Sequence, residues 1–297
     1  MSASEEPSTL SGGTVLVTGA GGQVGQELVE LLGPRAIGLS RAELDVTDRD
    51  AVHDAVRRAR PAAIIHAAAW TAVDACEAEP ERAFAVNEDG ARHVAEAAHD
   101  AGARLCYVST DYVFDGTKAE PYVETDVPTP VSVYGRSKRA GEIAAGPDAI
   151  VARTSWVCGR YGGNMVKTIL RIAGQQDELH FVDDQRGHPT FADGLAAKLV
   201  ELVDGGHRGA FHVTNQGAVS WYEFARAVLT AGGMDPDRVH PVATADLDPP
   251  RPAPRPANSV LENAALRDAG IELLEHFEAP LGRLVRHLQT EPQADDH

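Results

Sequence analysis

Between residues 13 and 158 short β-branched runs alternate with longer alanine-rich amphipathic stretches, and this alternation restricts the fold more than any other feature. TVLVTG is followed by QVGQELVELL, AIGLS by DRDAVHDAVRRAR, AAIIHAAA by EPERAFAVNEDGARHVAEAAHDAG, and RLCYVST by YGRSKRAGEIAA, with AIVARTSWV closing the series. Strands joined through helices lie parallel, and a parallel sheet needs both faces covered. Right-handed crossovers then make it an α/β, doubly wound parallel sheet of Rossmann-like kind. Beyond residue 158 the alternation loosens. A helix is expected near MVKTILRIAG, then a short FV strand, a helix from FADGLAAKLVELV, a strand at AFHVT and a helix from SWYEFARAVLT. The proline-dense DLDPPRPAPRPANS cannot be regular. The length of 297 residues allows two lobes: residues 13–158, and a smaller C-terminal lobe over 159–290 with room for a strand returning to the first. Residues 1–12 and 291–297 are polar, without apolar period, and are expected to fray.

Charge narrows the function classes. Lys and Arg number 27 against 44 Asp and Glu, a formal net charge of −17. Such a field repels phosphate backbones and anionic lipid, and no local basic patch offsets it, so neither nucleic acid nor a membrane surface is an expected partner. No apolar run approaches the roughly 20 residues of a membrane helix, and MSASEEPSTLSGG carries acid where a signal peptide carries base. A cytoplasmic enzyme of small-molecule chemistry is the expectation. Cys76, Cys106 and Cys158 lack paired spacing, and the 12 histidines are scattered, so no disulfide framework and no metal site is expected. Cys106 and Cys158 lie in apolar runs and read as buried, inert thiols. Only 4 of the basic residues are Lys, a composition matching either a high-salt cytoplasm or a GC-rich genome.

The first strand runs directly into TGAGGQVG, where Gly19, Gly22 and Gly25 open the first helix around Gln23 and Val24. Glycine at such a turn lets a pyrophosphate reach the backbone N–H groups and the positive helix end, which points to dinucleotide binding by the 13–158 lobe. At the end of the second strand an acid would hold a free ribose 2′-hydroxyl, whereas a hydroxyl and a cation suit a 2′-phosphate. Ser40 and Arg41 stand there, favouring NADPH while leaving NADH open. Asp45 and Val46 fit an adenine edge. Small Ala67, Ala68 and Ala69 after the third strand would let a cofactor pass close to the backbone, although small residues also suit a helix start.

Tyr134 and Lys138 form Y-G-R-S-K at the start of a helix, four residues apart and so on one face. Chance would supply about 0.08 such pairs in this composition. A phenol is a poor acid or base at neutral pH, and an ammonium one turn away is expected to draw its pKa down. The fourth strand ends in Ser109, Thr110 and Asp111, where a hydroxyl points into the ligand crevice.

Together these features resemble the extended short-chain dehydrogenase/reductase superfamily. Narrower motifs, STDYVFDG (109–116), VYGRSKRAGE (133–142), RTSWVCG (153–159), DDQRGHPT (183–190) and RPANSVL (255–261), resemble the dTDP-4-dehydrorhamnose reductase family in order, over residues 13–290. The resemblance implies reduction of the C4 ketone of dTDP-4-dehydro-L-rhamnose to dTDP-L-rhamnose. Tyr134 would donate the proton, Lys138 would hold the nicotinamide ribose, and Thr110 would hydrogen-bond the carbonyl oxygen. It also implies sugar contacts at Trp156 and Val73, with Asp111 beside them and Arg255 pairing with the diphosphate; core packing for Trp156 and simple solvation for Arg255 stay open. Cys158, where an aromatic is usual, and Trp70 depart from the common pattern. The partner implied is a dTDP-sugar, with a homodimer as the expected assembly. Two other readings remain at this stage: a related nucleotide-sugar epimerase or dehydratase, which would need further acids beside the tyrosine, and a non-catalytic dinucleotide-binding subunit like that regulating methionine adenosyltransferase, against which the retained Thr110, Tyr134 and Lys138 argue.

Overall fold

The computed structural model describes residues 12–290; the ends expected to fray, apart from residue 12, lie outside the described residues. Six parallel strands form the central sheet, in the spatial order Gly209–His212, Ile150–Thr154, Arg104–Thr110, Ala63–His66, Val15–Thr18, Ala36–Leu39. The chain moves outward from the first strand to Ala36–Leu39, then crosses back to Ala63–His66 on the other side. That reversal is a topological switch point, and the crevice outside the carboxyl ends of these strands is where such sheets take ligands.

Period-two alternation explains both buried faces. Val15, Val17, Ile65, Cys106, Ile150 and Ala152 face Leu28 and Leu32 of the Gln23–Leu32 helix and Leu195, Leu199 and Leu202 of the Ala192–Asp204 helix. Leu16, Ile64, Leu105, Tyr107 and Val151 face Val52 and Val56 of the Arg49–Ala59 helix and Val94 of the Gly90–Ala101 helix. Apolar residues at both parities are why these strands read as continuous apolar runs.

A second core gathers Val166, Ile169, Leu179, Phe191, Phe224, Val228, Phe277, Leu281 and Val285. It sits under the Met165–Ala173, Trp221–Ala231 and Glu278–Thr290 helices, with Leu179–Val182 paired in parallel to Val239–Val242. Residues beyond 158 therefore divide in space. The Ala192–Asp204 helix, the Gly209–His212 strand and the Ala264–Asp268 helix pack on the first core, which also takes Leu266 and Ile271, while the segments of the second core form a separate apolar cluster. Arg160 crosses between them, its Nε 3.0 Å from Glu27 of the first helix. The stretch read as one long helix is instead three joined helical segments: Pro80–Phe84, a π-helical Ala85–Asp89, and Gly90–Ala101.

Candidate active site

The glycine turn is shaped by backbone crowding. Gly19 has φ +71°, and a Cβ there would lie 2.6 Å from the Ala68 nitrogen; one on Gly25 would lie 2.2 Å from the Gly19 carbonyl oxygen. Gly22 precedes the Gln23–Leu32 helix, whose first turn has neither a side-chain cap nor an acidic residue. Its N–H groups and positive end therefore face the crevice, a donor set that fits a pyrophosphate.

Two cavities meet at this turn. One, of about 620 Å³, is lined by Gly19, Gly22, Ser40, Arg41, Asp45, Val46 and Ala67, Ala68 and Ala69. The other, of about 680 Å³, is lined by Gly19, Gly22, Gln23, Val24, Gly25, Ala67, Ala69, Val73, Thr110, Asp111, Tyr134, Lys138, Trp156 and Arg255. Every candidate site residue borders one or other of these two cavities, which share Gly19, Gly22, Ala67 and Ala69 as walls. In the first cavity Ser40 gives its hydroxyl to Glu43 at 2.7 Å, leaving Arg41 as the exposed cation at the strand end. Asp45 accepts from the Thr47 N–H and hydroxyl, which hold its carboxyl below the usual range. Trp70, a departure from the family pattern, lines the same cavity with the Arg82 guanidinium 4.4 Å above its ring. Cys158, the other departure, is buried in the second core away from the crevice, its thiol pushed up to about 12 by burial.

In the second cavity the Val133–Ala145 helix presents Tyr134 and Lys138. Its Ser132 N-cap accepts from the Gly135 N–H at 3.0 Å, fixing the first turn on which the tyrosine sits. The Thr110 hydroxyl donates to Asp111 Oδ1 at 2.9 Å, and Thr110 beside Tyr134 opposes part of the rise that burial imposes on the phenol. Burial pushes the Asp111 carboxyl up to about 6, with the Ser259 and Thr110 hydroxyls opposing that rise.

One expectation is corrected by the geometry. Burial pushes the Tyr134 phenol above its ordinary value, and the Asp111 charge adds to the rise. The shared helix face holds, but the Lys138 ammonium turns down to the Val108 carbonyl at 2.7 Å and over the Tyr107 ring at 4.1 Å. Its own pKa is pushed down to about 7 by burial, with Glu142 opposing. A four-residue spacing specifies a face but not where a flexible side chain ends.

Trp156 borders the cavity at φ +45°, a strained value for a side-chain-bearing residue. Its indole stacks on Trp221 at 3.6 Å with 10° between planes, and Gly187 leaves room for it: a Cβ there would lie 2.7 Å from the ring. Arg255 borders the cavity too, but its two terminal nitrogens reach the Asp74 carboxylate at 3.0 and 2.7 Å. Sequence reading missed Trp221, Arg251 and Asn87. Trp221 and Arg251 line the cavity; Asn87 sits behind it, accepting from the Trp70 N–H and donating to Ser137. SWYEF signals a helix start, not a stacking partner, and nothing local in VNED marks Asn87 as the tie between the third-strand loop and the Tyr134 helix.

Residues 13–290 match the family model described as RmlD substrate binding domain. The chain belongs to this family. Among relatives of this family member, a dTDP-4-dehydrorhamnose reductase of Streptomyces griseus is 43% identical over 278 residues, covering 90% of this chain and 91% of the relative. A dTDP-4-keto-6-deoxy-D-glucose reductase of Streptomyces niveus is 40% identical over 278 residues, covering 90% and 94%. A crystal structure of dTDP-4-dehydrorhamnose reductase from Bacillus anthracis in complex with NADP superposes with a TM-score of 0.89 at 37% identity, covering 93% of this chain and 99% of that one.

Proposed function

We propose that the chain is an NADPH-dependent oxidoreductase that reduces the C4 ketone of dTDP-4-dehydro-L-rhamnose to dTDP-L-rhamnose. The observation that carries the reading is that Tyr134, Thr110 and Asp111, with the Thr110 hydroxyl on Asp111, line the same cavity as the uncapped glycine turn. The nicotinamide would supply hydride to C4. Gly19, Gly22 and Gly25, with the Gln23 and Val24 backbone, would hold its pyrophosphate, Arg41 a 2′-phosphate, and Lys138 the ribose. Tyr134, kept protonated by its burial, would give its proton to the ketone oxygen, and Thr110 would orient that oxygen. One hydride at carbon and one proton at oxygen balance ketone to alcohol. Trp156 and Val73 would wall the deoxysugar.

The reductase activities of its relatives favour this reading over the alternatives, and the residue after Asp111 is Tyr112, not the further acid that an epimerase or dehydratase would need. No helix among the described residues is long and apolar enough to cross a membrane; a cytoplasmic homodimer is part of the same proposal. The test is NADPH oxidation with dTDP-4-dehydro-L-rhamnose and the product read by mass spectrometry. A two-mass-unit gain on the sugar nucleotide, with free keto-sugar reacting poorly, is the expected result. Cofactor binding without turnover would leave the regulatory-subunit reading, and equal rates on the free sugar would leave a carbonyl reductase of another kind.

A further inference from the structure

The crevice must admit an anionic diphosphate into a protein that itself carries −17, so it needs a cation not already neutralised by a neighbour. Among the described residues three Lys or Arg side chains line the larger cavity: Lys138, Arg251 and Arg255. Lys138 is buried behind the phenol with its ammonium on the Val108 carbonyl. Arg255 is closed against Asp74 by two bonds and donates a third to the Ala253 carbonyl at 2.9 Å. Arg251 is exposed and makes no hydrogen bond or ion pair among the described residues, only a longer-range attraction to the Asp74 carboxylate that Arg255 already occupies.

Its segment is fastened on both sides of the cavity. Upstream, Thr244 gives its N–H at 2.9 Å and its hydroxyl at 2.6 Å to the Asp184 carboxylate and accepts from Gln185 at 2.8 Å. Downstream, the Ala253 N–H donates to Asp74 Oδ1 at 3.1 Å, the carboxylate that also holds Arg255. Residues 244–255 thus form a strap between the second lobe and the Val73–Ala78 helix, with Leu247 and Arg251 bordering the cavity between the two anchors. We propose that Arg251 takes the diphosphate of the nucleotide sugar and that the Asp74–Arg255 pair is the pin that holds the strap carrying it. A guanidinium fork suits phosphate oxygens, and an exposed, unpaired one surrenders no existing protein contact on binding them. The inference rests on the nucleotide-sugar reading above.

Calorimetric titration of thymidine diphosphate into the full chain tests it, alongside steady-state kinetics. Arg251→Gln should weaken thymidine diphosphate binding and raise KM for the sugar nucleotide about tenfold, with NADPH affinity and melting temperature unchanged, and Arg251→Lys should recover part of the loss. Wild-type affinity in Arg251→Gln would overturn the assignment. Asp74→Asn supplies a test of opposite sign. It removes a negative charge from the cavity wall, yet should weaken binding because it frees the strap; unchanged or tighter binding would overturn the role of the Asp74–Arg255 pin. Wild-type protein that binds NADPH but not thymidine diphosphate would overturn the nucleotide-sugar reading together with this one, a result distinct from failure of the Arg251 variant alone.

Discussion

Tyr134 and Asp111 show how burial sets chemistry one side chain at a time. Desolvation penalises a phenolate, so Tyr134 stays protonated across the neutral range, the state required of a proton donor in a reduction. Tyr134→Phe should therefore keep the fold and NADPH affinity while lowering turnover by about 10² to 10⁴; stopped-flow hydride transfer with cofactor titration checks both halves, and wild-type-like turnover would remove the assignment. Asp111 carries a stability signature. Its folded pKa of about 6 lies above the ordinary 3.8, so the protonated form is favoured in the folded state. The associated stability is fully present below about pH 4 and is lost as pH rises through about 6. Asp111→Asn removes this dependence: relative to wild type it should gain about 2 kcal/mol between pH 4 and pH 8. Urea unfolding of both proteins at the two pH values reads the difference, since the other carboxylates titrate alike in each.

The Val133–Ala145 helix is seated by glycines that have no conformational role. A Cβ on Gly135 would meet the Tyr112 carbonyl oxygen at 2.2 Å, and one on Gly141 would meet the Asn87 carbonyl oxygen and the Tyr107 hydroxyl, each at 2.2 Å. Helix propensity alone would make Gly135→Ala stabilising by about 1 kcal/mol. Backbone collision outweighs that gain, and the variant should lose about 1 to 3 kcal/mol and lower kcat because the turn bearing Tyr134 is pushed off the Asp111–Val113 turn that follows the fourth strand. A more stable, fully active Gly135→Ala in urea melts and assays would show that the contact relaxes freely. Asn87, in the π-helical turn, ties the same helix to the Trp70 backbone. Extra residues inserted as π-turns recur at functional sites because they re-aim a side chain without ending the helix. The glycine-rich turn was legible in sequence because strand, glycines and helix are contiguous. The seating of the Val133–Ala145 helix was not, because its partners, Tyr112, Tyr107 and Asn87, lie far back along the chain.

At the scale of the molecule, the two lobes share one crevice, and the acid excess surrounds both. Surface ion pairs such as Arg57–Asp54 and Arg208–Asp148 contribute about 0 to 1 kcal/mol each, so screening them costs little. Screening the repulsion of 17 uncompensated negative charges acts on the whole compact state. Raising KCl from about 0.1 to 2 M, which shortens the Debye length from about 10 Å to under 3 Å, should raise the melting temperature. A calorimetric trace flat across that range would discard salt adaptation and leave a GC-rich genome as the source of the Arg-for-Lys composition.

Strand and helix periodicity, the glycine turn, and the Thr110, Tyr134 and Lys138 positions were determined by sequence alone, because each depends on residues within one or two turns of the chain and on a crossover rule with a single hand. Tertiary structure decided what depends on partners far apart along the chain. It joined the Gly209–His212 strand to Ile150–Thr154, so that part of the second half of the chain completes the first layer. It brought Trp221 onto Trp156, fixing the indole that borders the cavity. It closed Arg255 onto Asp74 and left Arg251 exposed at the cavity. A motif can specify which charge a site contains, but the charge available to a ligand is what remains after the folded chain has paired its own groups, and that remainder is set only when distant segments meet.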